Sequence, residues 1–212
     1  MGHGHYIDPF LGRSFVTDVP QDDNCHSERS EESHYQVQAG EVLNLQYVVL
    51  PGESRDIDVH IDLVGPGAQA HLKALYLCAA DEQVNFRILV HHRAPGCQST
   101  QLVKGIAGGR ARVRFQGTIV VAPDAQQTEA YQENHNIVLT DQAQVATEPQ
   151  LEIYADDVKC SHGATVGRLN QDELFYMRSR GIPEKEARKL QMLSFLSPVI
   201  PEGREAEIEA CL

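Results

Sequence analysis

The sequence predicts a domain made mainly of short β-strands, with helices confined to its C-terminal end. Three observations predict it. From about residue 40 to residue 168, apolar and polar residues alternate with a period of two over short runs. Turn signals separate these runs at intervals of roughly 10–16 residues, and no helical stretch lies between them. After residue 170 the apolar spacing lengthens to that of a helix.

Residues 1–39 stand apart as an N-terminal segment. Residues 1–20 hold Pro9, Gly12 and Pro20 and show no periodicity. Residues 21–34, QDDNCHSERSEESH, contain no aliphatic or aromatic side chain and carry five acids and one arginine. They predict a solvated, flexible insert, which includes Cys25 and His26. The free amine of Met1 with His3 and His5 offers nitrogen donors for copper or nickel, although an incidental terminus is the plainer reading.

Residues 40–168 form the predicted β core. Ile57, Val59, Ile61 and Leu63 alternate with Asp56, Asp58, His60 and Asp62. Ala68, Ala70, Leu72 and Ala74 alternate with Gln69, His71 and Lys73. Ala111, Val113 and Phe115 alternate with Arg110, Arg112 and Arg114, and Leu151, Ile153 and Ala155 with Glu152 and Tyr154. Further apolar runs cover 42–50, 84–90, 118–122 and 137–139. Each pattern gives a strand with one face in a core and one face wet. Turns fall at Pro51-Gly52, Gly65-Pro66-Gly67, Pro95-Gly96, Gly108-Gly109, Pro123-Asp124 and Thr140-Asp141. A sandwich, a barrel and a β-solenoid all fit this spacing. The scarcity of two-residue hairpin turns favours the solenoid, but no strict short repeat decides it.

Residues 169–212 predict a small helical module. One short helix covers 172–180, capped by Asn170 or Asp172 and stopped by Gly181. Pro183 opens a second helix, with Glu184 and Glu186 at its positive dipole end. Its apolar stripe is Ala187, Leu190, Leu193 or Met192, and Leu196. Pro198 and Pro201 end it, and residues 202–212 are an acidic turn of ambiguous type.

Composition narrows the function. Lysine and arginine total 18 against 30 acids in 212 residues, a net charge of −12. Such a chain is a poor partner for nucleic acid or for anionic lipid. No apolar run approaches the roughly 18–20 residues of a membrane span. The N-terminus has neither a basic n-region nor an apolar h-region, so a cytoplasmic location is expected. The five scattered cysteines lack C-x-x-C spacing, which argues for reduced thiols rather than a disulfide framework or a self-contained zinc site.

The chemistry-bearing candidates are Cys160 and His162. Two apart on a strand, they share one face. Thiolate and imidazole suit iron, zinc or an iron–sulfur cluster, but two ligands cannot close a site alone. The bland alternative is a packed cysteine beside a surface histidine. A Cys–His catalytic pair would need an orienting third group and an oxyanion hole, and no local signature shows either. His60, His71, His91, His92 and His135 each have the donors for a site, with nothing in sequence to choose among them. Residues 105–109, GIAGG, lack the features of a nucleotide loop and read as a turn. Asp56, Asp58 and Asp62 share a strand face, as in a carbohydrate-acting β-helix enzyme, but solvated acids are the plainer account.

Residues 101–113 (QLVKGIAGGRARV), 121–128 (VAPDAQQT) and 130–134 (AYQEN) resemble the core of the SufB/SufD family of iron–sulfur cluster assembly proteins. Residues 149–165 (PQLEIYADDVKCSHGAT) resemble its SufD branch, and 174–181 (LFYMRSRG) continue the likeness, which runs from about residue 84 to 200. Residues 1–40 resemble nothing in the family, and its N-terminal helical region has no counterpart here. Where SufB-type chains carry a key cysteine, this sequence places Ala143.

The resemblance implies a right-handed parallel β-helix with a C-terminal helical piece. It implies a non-catalytic scaffold that pairs with a SufB-like subunit and binds a SufC-like ATPase through its C-terminal helices. Leu174, Phe175, Tyr176, Arg180, Leu190 and Leu193 are the expected contacts. His162 matches the family histidine near the subunit interface. With Cys160 it would face a transient iron–sulfur cluster shared with a partner chain, and no nucleotide site is expected in the chain itself. In isolation a second copy would replace the SufB-like partner along the edge strands. The alternative is a self-associating β-helix protein with a structural or binding role and no cluster.

Overall fold

The computed structural model describes residues 29–212 together with two short strands before them, β1 (Tyr6–Ile7) and β2 (Ser14–Val16). The N-terminal histidines and Cys25 and His26 lie outside the described residues. The strands that follow are β3 (Arg29–Val37), β4 (Val42–Val49), β5 (Arg55–Leu63), β6 (Gln69–Cys78) and β7 (Gln83–His92). After them come β8 (Gln98–Ala107), β9 (Arg112–Val121), β10 (Thr128–Val138), β11 (Gln144–Ile153) and β12 (Val158–Gly167).

Consecutive strands alternate between two sheets. One runs β1-β2-β4-β6-β8-β10-β12, the other β11-β9-β7-β5-β3. From β2 onward every pairing is parallel, which makes a β-solenoid of about five turns. Side chains stacked in neighbouring coils stand about 30 residues apart in sequence, as in Lys159 on Glu129. The repeat is a coil of two long strands, not a short motif, and this is why no short sequence period is visible.

The period-two patterns place their apolar residues as expected. Ile57, Val59, Ile61 and Leu63, then Ala68, Ala70, Leu72 and Ala74, then Ala111, Val113 and Phe115 fill the space between the sheets. The 151–155 pattern departs from this: Leu151 is half-buried and Ile153 is exposed. They sit on or beside β11, the last strand of its sheet, and no further coil covers them. A second departure concerns the predicted acidic insert. Its residues 29–34 belong to β3, which pairs with β5 along its whole length. Backbone bonding to the neighbouring coil requires no apolar side chains, and Tyr35 and Val37 supply the anchor in the core.

A close backbone approach organises the interior. Tyr76, Gly105 and Asn136 form one column across β6, β8 and β10. The Tyr76 ring lies over Gly105, where a Cβ atom would stand 2.0 Å from the ring. The Tyr76 hydroxyl thereby reaches past β8 and donates to Asn136 Oδ1 at 2.7 Å.

The helical module forms α1 (Gln171–Ser179), α2 (Glu184–Leu196), a 3-10 turn at Ser197–Val199, and α3 (Glu205–Ala210). Asn170 caps α1, its side chain accepting from the Asp172 and Glu173 amides, and Gly181 follows at φ +90°. The module packs on the outer face of the first sheet. Leu174, Ala187, Met192, Leu196, Val199 and Ile208 meet Leu75, Leu77, Ile106 and Ile137 there. Lys104 Nζ donates to the Phe195 carbonyl at 3.0 Å, and Gln46 Nε2 to that of Val199 at 2.9 Å.

His92 predicts an acid-sensitive stability. Its ring is fully buried, with Nε2 2.8 Å from Ser99 Oγ. Burial, with the neighbouring His91, lowers its pKa to about 4. The unfolded chain protonates this residue near the ordinary value of about 6.5. The folded state therefore binds fewer protons, and stability is lost as the pH falls from about 6.5 to about 4. Urea midpoints should drop over that window, and the drop should be smaller in His92→Gln. Equal pH slopes for the two proteins would contradict this.

Candidate functional site

The solenoid ends in an open coil. Among the described residues β12 pairs only with β10, and β11 only with β9. In register, Ala130 stands beside Cys160, Gln132 beside His162 and Asn134 beside Ala164. Ala130, Gln132 and Asn134 are buried in the solenoid interior. Cys160 and His162 therefore occupy the inward face of β12, where no later coil covers them, and His162 is exposed. This is the shared face that their spacing predicts.

Behind His162 runs a polar column. Gln101 and Gln132 are both buried, and Gln132 Nε2 donates to Gln101 Oε1 at 3.0 Å. Gly117, on the facing sheet, makes room for this amide. A Cβ there would lie 2.3 Å from Gln132 Nε2. Cys160 is half-buried against the cluster of Ile119, Val121, Ala125, Ala130 and Ala155. Burial raises the pKa of its thiol, partly offset by a backbone hydrogen bond at Ala130. Its resting form is thus a neutral thiol, able to become a thiolate ligand when a metal replaces the proton.

Cys160 and His162 supply two donors of the kind that hold iron. Among the described residues no third histidine, cysteine or carboxylate joins them in a cluster. A site with these two residues needs further ligands from elsewhere.

The expected helical contacts divide. Leu174 is a correction: it is buried in the cluster beneath the module, because it is the α1 residue that faces the sheet. Leu193 is half-buried. Phe175 and Tyr176 are 73% and 60% exposed, and Leu190 is also exposed. The Arg180 guanidinium lies 5.3 Å from the Tyr176 ring centre. Between α1 and α2 is a groove of about 700 Å³, lined by Ile137, Leu169, Tyr176, Met177, Leu190 and Phe195 among others.

The remaining candidates fall elsewhere. His71 bonds Thr100 at 2.8 Å and His135 bonds Thr165 at 2.9 Å. Residues 105–107 end β8, and the turn follows at 109–110. Asp62 is a correction: it is almost fully buried beneath three imidazoles and a guanidinium, not solvated. No helix among the described residues is long and apolar enough to cross a membrane.

Residues 20–195 match the family described as SUF system FeS cluster assembly, SufBD core domain. The chain belongs to the SufBD family. The match starts at residue 20, well before residue 84, and so takes in residues 20–40, which the sequence alone likens to nothing in the family. Curated relatives include the iron–sulfur cluster assembly protein SufD of Escherichia coli, 41% identical over 143 residues. That alignment covers 68% of this chain and 34% of the relative. A SufBD family protein of Mycobacterium leprae is 34% identical over 176 residues, covering 77% of this chain and 45% of the relative. SufD of Bacillus subtilis is 31% identical over 141 residues, covering 66% and 32%. The chain thus spans between about a third and a half of the length of these SufBD relatives.

Proposed function

We propose that this SufBD-family chain is a SufD-type, non-catalytic scaffold subunit for iron–sulfur cluster assembly. The observation that carries the reading is the pair Cys160 and His162 on the uncovered inward face of the last coil. Two donors at an open strand edge call for completion by another chain. The free edges of β11 and β12 present unpaired backbone groups that favour strand-to-strand pairing. A SufB-like subunit docked there would supply the missing ligands, with the nascent cluster as shared cargo. In its absence a second copy of this chain would take the same edge.

A SufC-like ATPase would dock on the helical module. Phe175, Tyr176 and Leu190 give it an exposed apolar surface beside the α1–α2 groove, with Arg180 at the rim. Removing the whole module is a poor test, because Leu75, Leu77, Ile106 and Ile137 would lose their cover. Phe175→Ala with Tyr176→Ala removes exposed rings and leaves the fold intact. Co-purification of the chain with SufB-like and SufC-like partners tests the reading. The double variant should lose the ATPase at least tenfold and keep the SufB-like subunit. Undiminished ATPase capture would remove this role for the helices, and failure of the unsubstituted chain to bind either partner would overturn the scaffold reading.

A further inference from the structure

The outer face of the β3–β5–β7 sheet carries a cluster remote from the open coil. His34 pairs in register with His60, and Asp62 with His91. The His34 and His60 rings are stacked, 4.4 Å between centres and 6° from parallel. Both direct Nε2 at the same carboxylate oxygen. His34 Nε2 lies 2.9 Å from Asp62 Oδ2 and His60 Nε2 lies 3.6 Å from it. The other oxygen, Oδ1, accepts from Arg93 Nε at 2.6 Å and lies 3.6 Å from His91 Nδ1.

We infer that His34, His60 and Asp62 form a binding site for a divalent first-row transition metal. The three donor atoms all lie within 4.8 Å of one another. Tetrahedral zinc, with bonds of about 2.0–2.2 Å, separates its donors by about 3.3–3.5 Å. The two Nε2–Oδ2 separations bracket that value, and the two Nε2 atoms lie within 4.8 Å of each other, so closure needs the stacked rings to turn toward a shared ion. A second observation points the same way: His60 Nε2 is buried and has no hydrogen-bond partner among the described residues. Oδ2 is within hydrogen-bond distance of one ring and not of the other. A cation between them would satisfy both nitrogens and the oxygen together. Arg93 then acts as the outer partner that fixes the carboxylate, as outer groups do in metal sites. Two imidazoles and one carboxylate select zinc-like ions over magnesium or calcium. The fourth position opens to solvent on the side of His34, whose side chain is 52% exposed. A bound ion would clamp β3 to β5.

Zinc is the test ion, because two imidazoles and one carboxylate suit its tetrahedral coordination. Equilibrium dialysis of the full chain against Zn²⁺ should show one equivalent that the His34→Ala/His60→Ala double variant lacks or binds at least tenfold more weakly. His71→Ala, which removes a remote imidazole, should leave that equivalent in place. Substituted Co²⁺ should give an intense visible band in the unsubstituted chain and not in the double variant. If the double variant fails to fold, His34→Gln alone, on the more exposed ring, should weaken binding by the same order. Equal zinc binding by the chain and its variants, or none by the chain, would mean a hydrogen-bonded cluster only and would overturn the assignment.

Discussion

His162→Ala is expected to lower the iron and sulfide retained by the assembled complex about tenfold or more, while leaving the fold unchanged. The imidazole is exposed on the inward face of β12, so its loss costs little stability. Its loss does remove one of the two iron-type donors that the described residues bring to the edge. Cys160→Ala should change folding more, because Cys160 is half-buried against the cluster that holds Ile119, Val121 and Ala130. The pair therefore separates into a residue read out by cluster yield and one read out partly by stability. Quantifying iron and acid-labile sulfide after anaerobic reconstitution checks this. Unchanged yields for His162→Ala would remove the site.

Gly105→Ala is expected to destabilise the solenoid by about 3 kcal/mol or more. Overpacking a tight core typically costs about 1–3 kcal/mol, and losing a buried hydrogen bond adds about 1. Here a methyl group would stand 2.0 Å from the fully buried Tyr76 ring. The ring could move only by giving up its bond to Asn136, which in turn donates to Asn134 and to the Thr165 carbonyl of β12. The strain thus reaches the coil that carries Cys160 and His162. Urea unfolding of Gly105→Ala, Tyr76→Val and the double variant measures it. The two losses should be strongly non-additive, since removing the Tyr76 ring leaves room for the methyl group. A loss below about 0.5 kcal/mol for Gly105→Ala would contradict the packing described.

The inward faces of the strands were legible because alternation fixes which side chains turn to the core. Ile57 to Leu63 and Ala111 to Phe115 follow it without exception. Helix limits were legible because Asn170 and Gly181 are local signals for capping and termination. Register was not legible. Nothing near His34 says that it stacks on His60, since coils of varying length decide which residues meet. Strand β3 was hidden for the same reason: its partner is a neighbouring coil, and its own composition is that of a solvated loop. Solvation of Asp62 was misjudged because an outward position counted as wet, whereas rings from two other strands and Arg93 cover it. In α1, sequence named Leu174, Phe175 and Tyr176 together, while only the packing of the helix on the sheet shows that Leu174 faces inward and the two rings face out.

On the scaffold reading, Cys160 and His162 make a cluster site only when another chain completes it. Anaerobic reconstitution with iron and sulfide, followed by desalting, tests this most directly. The chain alone should emerge colourless and iron-free. The chain with its SufB-like and SufC-like partners should retain iron and sulfide, at a level that falls with His162→Ala. A stoichiometric cluster held by the isolated monomer, or a complex whose iron content does not depend on this chain, would contradict the claim.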